Sequence, residues 1–324
     1  MKSIFGNNLI VSLFGESHGD YIGVTLNGLP SGKKVDLDYL EQELNRRKPQ
    51  SESNTKRIEK DDYEIISGVF NGFTTGAPLT ILIKNDDVKS SDYQKGVIRP
   101  GSSDYPSYVR SDGFNDYRGS GHFSGRLTAP LVGAGSIVKK ILEDKGIHIS
   151  SSVADYALDT KDTYGFITKI VVKGMPVGVG EPFFDNMESV LSHLLFAIPS
   201  VKGVSFGDDD IYLHKGSDVI DELRVEDGSV VVKNNHNGGI NGGLSNGNDL
   251  IINVKFKPIS SLIKDVNTIN IKTMENTTIK ANDRNDLSIA NRAPVIVESM
   301  VSFGLMDLLI SFYGSNELKW WEVV

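Results

Sequence analysis

Val24-Thr-Leu-Asn-Gly-Leu-Pro-Ser-Gly32 and Val171-Val-Lys-Gly-Met-Pro-Val-Gly178 are two statements of one pattern. Each is a β-branched run, then Gly-Leu/Met-Pro-x-Gly, then a helical stretch. After the first copy, Leu37, Leu40 and Leu44 fall at helical spacing, with Asp36 placed as the cap and Pro49 just past the end. After the second, Val190, Leu191, Leu194 and Leu195 make an apolar helix face. Each helix leads to a related strand, Ile65-Ile-Ser-Gly-Val-Phe70 and Val201-Lys-Gly-Val-Ser-Phe206. Each half then passes a Gly-rich turn and another strand before a long helix. In the first half that helix carries Leu131, Ala134, Val138, Ile141 and Leu142 and is closed by Gly146. In the second it carries Val295, Val297, Met300, Val301, Leu305 and Leu308, apolar on more than one face as a central helix is. The pattern predicts two similarly built halves, about 1–146 and 147–324. They form one domain spanning 1–324, because either half alone would leave its long helix uncovered.

Strand-like runs rich in Ile, Val, Tyr and Phe support this: Ile10–Phe14, Tyr21–Leu26, Tyr63–Phe70, Leu79–Ile83, Phe166–Val172, Asp210–Leu213, Ser229–Val232 and Leu250–Phe256. Strands and helices in this mixture give an α+β fold. Hydrophobic residues are 39% and charged residues 23% of the 324, which is globular composition and argues against disorder. The formal net charge of −8 argues against a general nucleic-acid binder, although local Arg clusters still suit small anionic ligands. With no Cys there is no disulfide framework, thiol nucleophile or Cys-ligated metal. The N-terminal apolar stretch is broken by Gly6, Asn7, Asn8 and Ser12, too short for a signal peptide or a membrane span. The expectation is a cytoplasmic protein with no membrane partner.

Three groups of residues carry chemistry. Arg46, Arg47 and Lys48 end the first helix, where cations suit the helix dipole. Arg57, Arg99, Arg118, Arg126, Arg284 and Arg292 instead fall in or beside Gly-, Ser- and Asn-rich motifs, as a site for a small polyanion requires. His18 sits among small residues in Gly15-Glu-Ser-His-Gly19, where an exposed ring could move protons. His122 and His236 lie in Gly-rich loops and stay ambiguous. In Lys257-Pro-Ile-Ser-Ser261 a strand delivers a Lys to a turn with two hydroxyls, which suits a phosphate. No HExxH spacing occurs, so no metal is expected, and neither a GxGxxG after a strand nor a GxxxxGK[ST] is present.

In order along the chain, these motifs resemble chorismate synthase over nearly the whole length. The resemblance rests on Phe14-Gly-Glu-Ser-His-Gly19, Asn45-Arg-Arg-Lys-Pro49, Ser67-Gly-Val-Phe-Asn-Gly-Phe-Thr-Thr-Gly76 and Arg99-Pro-Gly101. It continues through Asp116-Tyr-Arg-Gly119, Gly178-Val-Gly-Glu-Pro-Phe-Phe-Asp185, Ile198-Pro-Ser-Val-Lys-Gly203, Lys257-Pro-Ile-Ser-Ser261 and Arg292-Ala-Pro. It implies a β-α-β sandwich and a homotetramer. The implied reaction is 1,4-anti elimination of phosphate and a ring proton from 5-enolpyruvylshikimate 3-phosphate, in the shikimate pathway of aromatic amino acid biosynthesis. Reduced FMN is required, without net redox change. By the same resemblance Arg46, Arg47 and Arg126 bind the anionic substrate, with Arg57 and Arg99 as neighbours. His18, beside Ser17, protonates the departing phosphate; Asp286, with Arg284, lies beside the flavin and assists proton removal. The family's flavin contacts map onto Ser124, Pro199, Ser200, Gly242, Lys257, Pro258, Ile259, Ser260, Ser261 and Arg284.

The chain departs from the family pattern at the site. Ser102 stands where a second catalytic His belongs. In Gly119-Ser-Gly-His-Phe-Ser-Gly-Arg-Leu-Thr128, His122 replaces an Arg, Phe123 a Ser and Leu127 a Glu, and Arg284-Asn-Asp-Leu287 lacks a His. Two readings follow: a working synthase in which His122 substitutes for a lost His, or a relative with the fold and anion site but reduced, altered or no activity.

Overall fold

The computed structural model describes residues 1–48, 61–86, 93–154, 162–260, 264–280 and 288–314. The first half runs β1 (Ile4–Phe5), β2 (Ile10–Gly15), β3 (Tyr21–Asn27), α1 (Leu37–Arg47), β4 (Tyr63–Ser67), β5 (Val69–Phe70), β6 (Phe73–Thr74), β7 (Leu79–Lys84), α2 (Asp104–Arg110) and α3 (Thr128–Glu143). The second runs β8 (His148–Ala154), β9 (Phe166–Lys173), α4 (Met187–Phe196), β10 (Val201–Phe206), β11 (Leu223–Glu226), β12 (Ser229–Val232), β13 (Ile240–Asn241), β14 (Leu244–Ser245), β15 (Leu250–Phe256), β16 (Val266–Asn270), β17 (Glu275–Ile279) and α5 (Ala293–Tyr313).

The two main sheets have orders β1-β2-β3-β7-β4 and β10-β15-β9-β8, antiparallel throughout. Apart from β1, each places its strands in the order first, second, fourth, third. The match reaches side chains. Asp36 Oδ1 accepts from the Tyr39 N–H at the start of α1, and Asn186 Oδ1 accepts from the Ser189 N–H at the start of α4. Thr74 donates its hydroxyl to the Pro30 carbonyl at 2.6 Å, and Ser245 donates its own to the Pro176 carbonyl at 2.5 Å. Gly28 and Gly174, the glycines of the repeated Gly-Leu/Met-Pro turn, have φ of +87° and +81°. A Cβ at Gly28 would stand 1.9 Å from the Asn8 carbonyl oxygen, and one at Gly174 2.1 Å from that of Gly146. Only glycine fits where the turn crosses the entry to the half's first strand, so the sequence echo is a structural requirement.

Between the sheets lie the helices. α3 packs on β3 and β7, α5 on β8 and β9, and the two helices pack on each other; α1 covers α3, and α4 covers α5 and β10. One apolar cluster runs through both halves, from Leu9 and Leu26 through Val138 and Leu142 to Ile252, Phe303 and Leu309. α5 is long and apolar enough by composition to cross a membrane, but 83% of its apolar window is buried inside the protein. The halves join without a linker: α3 ends as the Gly146 N–H donates to Glu143 O and the Ile147 N–H to Leu142 O. Pro130 falls in the first turn of α3, where the lost N–H has no helical partner.

Two strand expectations are corrected. Asp210–Leu213 is a 3-10 turn over Ile211–Leu213: the Leu213 N–H donates to Asp210 O, and Tyr212 and Leu213 are exposed. The run Tyr63–Phe70 breaks after Ser67 into β4 and the small β5–β6 hairpin.

A charge cluster locks the helices together. Lys139 on α3 donates to Glu43 on α1 at 3.0 Å and to Glu298 on α5 at 2.5 Å, and all three are buried. Arg46 grips Glu298 with two nitrogens at 2.7 and 2.8 Å and also reaches Glu43. Ser151 on β8 donates to Glu298 as well. Burial pushes the Glu298 carboxyl up, but the Arg46 bond and the Lys139 charge outweigh it and hold it below the ordinary value of 4.5. Glu298 therefore stabilises the fold fully above that value, and the contribution is lost as pH falls through the depressed folded value. We expect Glu298→Gln to cost about 3–5 kcal/mol, as for a buried ion pair that loses one partner. Urea unfolding at neutral pH and near pH 3 checks it: the gap between wild type and variant should shrink in acid, and an equal gap at both pH values would refute the assignment.

Candidate active site

Glu16 to Gly19 form a tight turn at the end of β2. The Gly19 N–H donates to Glu16 O at 3.0 Å, which puts Ser17 and His18 at the two central positions. The Ser17 N–H donates to Gly121 O at 3.1 Å, and its hydroxyl donates to Gly119 O at 3.0 Å. His18 is 7% exposed, with its ring edge-on to Tyr93 at 5.1 Å. On the opposite side of this turn the Asn85 amide donates to Glu16 O at 3.1 Å and Gly19 O at 2.8 Å.

Arg99 stacks over the same Tyr93 ring at 5.1 Å, so Arg99, Tyr93 and His18 form one pile. Two 2.7 Å bonds from Arg99 grip Asp104, and a third of 2.8 Å reaches Ser120. Burial works against the Arg99 charge, but the Asp104 bonds outweigh it and raise its pKa above the ordinary value. Ser102 donates to Arg99 O at 2.8 Å and accepts from the Asp104 N–H at 3.1 Å, which fixes the turn that presents Asp104 to Arg99. Asp116 is similarly tied to Arg118; burial raises its pKa, but the Arg118 bonds and the His18 charge bring it below the carboxylate norm.

Arg47 and Arg126 meet on one carboxylate. Asp61 accepts from Arg47 at 3.0 Å and from Arg126 in a closer bond, and all three are buried. Arg47 also donates to Thr128 Oγ1 at 3.2 Å, and Arg126 to Asn85 Oδ1 at 3.2 Å. Arg46 points away from this pair to Glu43 and Glu298, with 40% of its side chain exposed. The expected substrate arginines within the described residues thus fall into three places, each beside an internal carboxylate. Arg57 lies outside the described residues, as do Ser261, Arg284 and Asp286.

His122 sits in the loop beside Gly121, but its ring is engaged elsewhere. Nδ1 donates to Gly15 O at 2.7 Å, which leaves Nε2 of the neutral ring to accept from the Ser3 hydroxyl at 2.6 Å. The ring borders a cleft of about 440 Å³ lined by Ser3, Ser12, Phe14 and Glu16 among others. Ser124, three residues after Gly121, accepts from the Arg126 N–H at 3.3 Å.

The second half reaches this centre at Gly101. Lys257 Nζ donates to Gly101 O at 3.2 Å and to Ser260 Oγ at 2.9 Å, and the Ser260 hydroxyl donates to Gly101 O at 2.6 Å. A backbone bond of 2.9 Å from the Lys257 N–H to Ser200 O brings Pro199 and Ser200 alongside, and Thr163 Oγ1 donates to Ile259 O next to Pro258. A cation and a hydroxyl 2.9 Å apart on an accessible turn fit a phosphate group. Gly242 lies at the tip of the β13–β14 hairpin, and no hydrogen bond among the described residues links it to Lys257. The residues the sequence did not single out are Asp61, Asn85, Asp104 and Ser120. Ser120 lay within the quoted Gly119-Ser-Gly motif, and Asn85 directly follows β7, which ends in Lys84.

Comparison with known proteins shows the family. The chorismate synthase family model matches residues 9–158 and 153–310. The chorismate synthase of Chitinophaga pinensis is 41% identical over 97% of this chain and 98% of its own. That of Pyrococcus abyssi is 38% identical over 97% of this chain and 99% of its own. A crystal structure of chorismate synthase superposes with a TM-score of 0.75 at 21% identity, over 98% of this chain and 96% of that one, a likeness that speaks for the fold.

Gly119 supplies a direct test of the pile. Its φ is +55°, and an added Cβ would stand 2.4 Å from Ser17 Oγ and 2.8 Å from the His18 ring. We expect Gly119→Ala to lower turnover by about 10²-fold, the scale of a misplaced catalytic group, with the far-ultraviolet circular dichroism of wild type. Turnover within twofold of wild type would separate Gly119 from the His18 geometry.

Proposed function

Since the chain belongs to the chorismate synthase family, we propose how its residues divide the work of that reaction. The protein is a carbon–oxygen lyase acting on a phosphate: it converts 5-enolpyruvylshikimate 3-phosphate to chorismate. One C–O bond and one C–H bond break, a C=C bond forms, and phosphate leaves. The buried His18 in its doubly tied turn, edge-on to the Tyr93 ring that Arg99 covers, is the observation that carries the assignment.

In this reading His18 gives its proton to the departing phosphate oxygen. Charge growing on that oxygen would otherwise raise the barrier, and a positioned acid contributes about 10²–10⁴-fold. Ser17 orients the turn through its bonds to Gly119 and Gly121. Arg99, held flat by Asp104, and Arg46, with its partly exposed head, grip the substrate's anionic groups. Arg47 and Arg126, oriented by Asp61, and Arg57 add positive charge for the same anionic substrate. Asp286 takes part in removing the ring proton on the other face. Ser102 and His122 hold local structure in this scheme and transfer no proton.

The cofactor is reduced FMN. Lys257, Ser260 and Ser261 would hold its phosphate, with Pro258 and Ile259 shaping the turn and Pro199, Ser200 and Gly242 completing the cradle. Ser124, Arg284 and Asp286 would face its ring. When bound, the reduced flavin supplies electron density to a reaction with no net redox change. The working form is a cytoplasmic homotetramer of single-domain subunits. Exposed Phe70, Phe183, Phe184 and Val177 support an assembly that covers them.

Two measurements test the scheme. In an anaerobic assay with reduced FMN and the shikimate phosphate substrate, wild type should form chorismate, and His18→Ala should lose about 10²-fold or more while substrate still binds. An unaffected rate would sink His18 as the acid. Titration with reduced FMN should show Lys257→Ala weakened by roughly 1–3 kcal/mol, the worth of a charge-assisted bond; unchanged affinity would take Lys257 out of the site.

A further inference from the structure

Asn85 follows directly on β7, and its backbone N–H and both polar atoms of its side chain are spent on the His18 turn and its support. Its backbone N–H donates to Asp20 O at 3.0 Å, just past the turn. Its side-chain NH₂ donates to the carbonyls of Glu16 and Gly19, the first and last residues of the turn, across 69 and 66 positions of sequence. Its Oδ1 accepts from Arg126 Nε at 3.2 Å. Arg can only donate and a carbonyl can only accept, so the amide has one possible orientation. Asn85 is 8% exposed, within a dry environment where such bonds are stiff.

We propose that Asn85 is a positioning residue for His18, a staple across the mouth of the catalytic turn that refers its position to the buried Arg126–Asp61–Arg47 group. The turn hangs from β2 at one end and runs into β3 at the other. Within the turn the Gly19 N–H donates to Glu16 O, a bond that closes its ends on each other but does not tie them to the sheet. The amide of Asn85 joins both ends to a fixed point on a central strand, and the Gly119–Gly121 loop holds Ser17 from the opposite side. A donor pair is needed here. An Asp of the same size would keep the Arg126 contact but set a carboxylate against two carbonyl oxygens, and a Ser could satisfy only one of them.

The proposal rests on His18 as the acid, and a double-mutant cycle separates the two ideas. The full-length protein with reduced FMN is assayed as wild type, Asn85→Ala, His18→Ala and the double variant. We expect Asn85→Ala to lower kcat by about 10- to 100-fold, the scale of a displaced catalytic group, with KM within about twofold. In the His18→Ala background the same change should cost almost nothing. Asn85→Ser should recover part of the loss and Asn85→Asp none. An equal loss of kcat in both backgrounds, or a lowered melting temperature with kcat intact, would overturn the staple and leave His18 in place. If His18→Ala alone keeps full turnover, the acid assignment itself fails. If Asn85→Ala does not fold, the Ser and Asp variants decide: both must fold, and equal kcat in the two would reject the need for donors.

Discussion

Two long helices with almost no solvent-facing surface lie against each other at the centre, and the rest of the structure follows from how closely they approach. α3 and α5 touch where Gly135 meets Ser299: a Cβ at Gly135 would fall 2.3 Å from the Ser299 Cβ. Ser302 then donates to Gly135 O at 3.3 Å across the same contact. Gly304 gives α4 similar access, with an added Cβ only 2.8 Å from Leu191. Small residues at the crossings leave the bulky ones to face outward, into the two sheets. The sheets are therefore held apart by one layer of helices, and each half contributes one sheet and one central helix to a shared core. Buried polar groups here are gathered with partners, as where Asp307 accepts the N–H groups of Asn7, Asn8 and Leu9.

The duplication builds the frame, and the site comes from what is not duplicated. Between β7 and α3 the first half inserts the Tyr93–Arg99 segment, the short α2 and the Gly119–Arg126 loop. The second half inserts the β16–β17 hairpin between β15 and α5. These insertions meet. The Ile98 N–H donates to Ile269 O at 3.2 Å, and Thr268 donates to Ile98 O, one residue before Arg99. Lys257 and Ser260 close on Gly101 two residues after it. Arg99 is thus pinned on both sides by the other half, and the substrate-side and phosphate-side residues are set relative to one another by backbone rather than by long side chains.

Much of this frame was legible because it rests on periodicity and on glycine. The repeated turn, the caps at Asp36 and the four long or middle-sized helices are local properties, and the sequence states them. β8 was not legible: His148-Ile-Ser-Ser-Ser-Val-Ala154 is mostly polar, an edge strand with few buried side chains. Asp210–Leu213 misled because apolar residues there look like a strand, yet three consecutive acids before them favour a turn. At the site, His18, Arg99 and Lys257 stood out because Gly and Ser surround them. Their internal partners did not. Asp61 and Glu298 are ordinary acids in the sequence, and only tertiary contact shows Asp61 beside Arg126 and Glu298 beside Arg46. An arginine cluster read from sequence reports where cations gather, not how much of their charge the protein already answers.

That distinction bears on the substituted positions. Ser102 replaces a histidine of the family pattern, and its hydroxyl is fully used in closing the turn between Arg99 and Asp104. A histidine ring could not make both of those short contacts from the same backbone, so the exchange trades a titratable group for a tighter hold on Asp104. His122, the apparent replacement, has both ring nitrogens committed to Gly15 and Ser3. Its Nδ1 bond grips the strand residue that leads into the His18 turn. Two separate elements hold the turn: the Gly119–His122 loop takes Gly15 and Ser17, and Asn85 takes Glu16 and Gly19. Where the family pattern would place proton carriers, this chain has side chains committed to local bonds, and the His18 turn is held from two sides. In the proposed scheme leaving-group protonation then falls to His18, with its neighbours acting through position and charge.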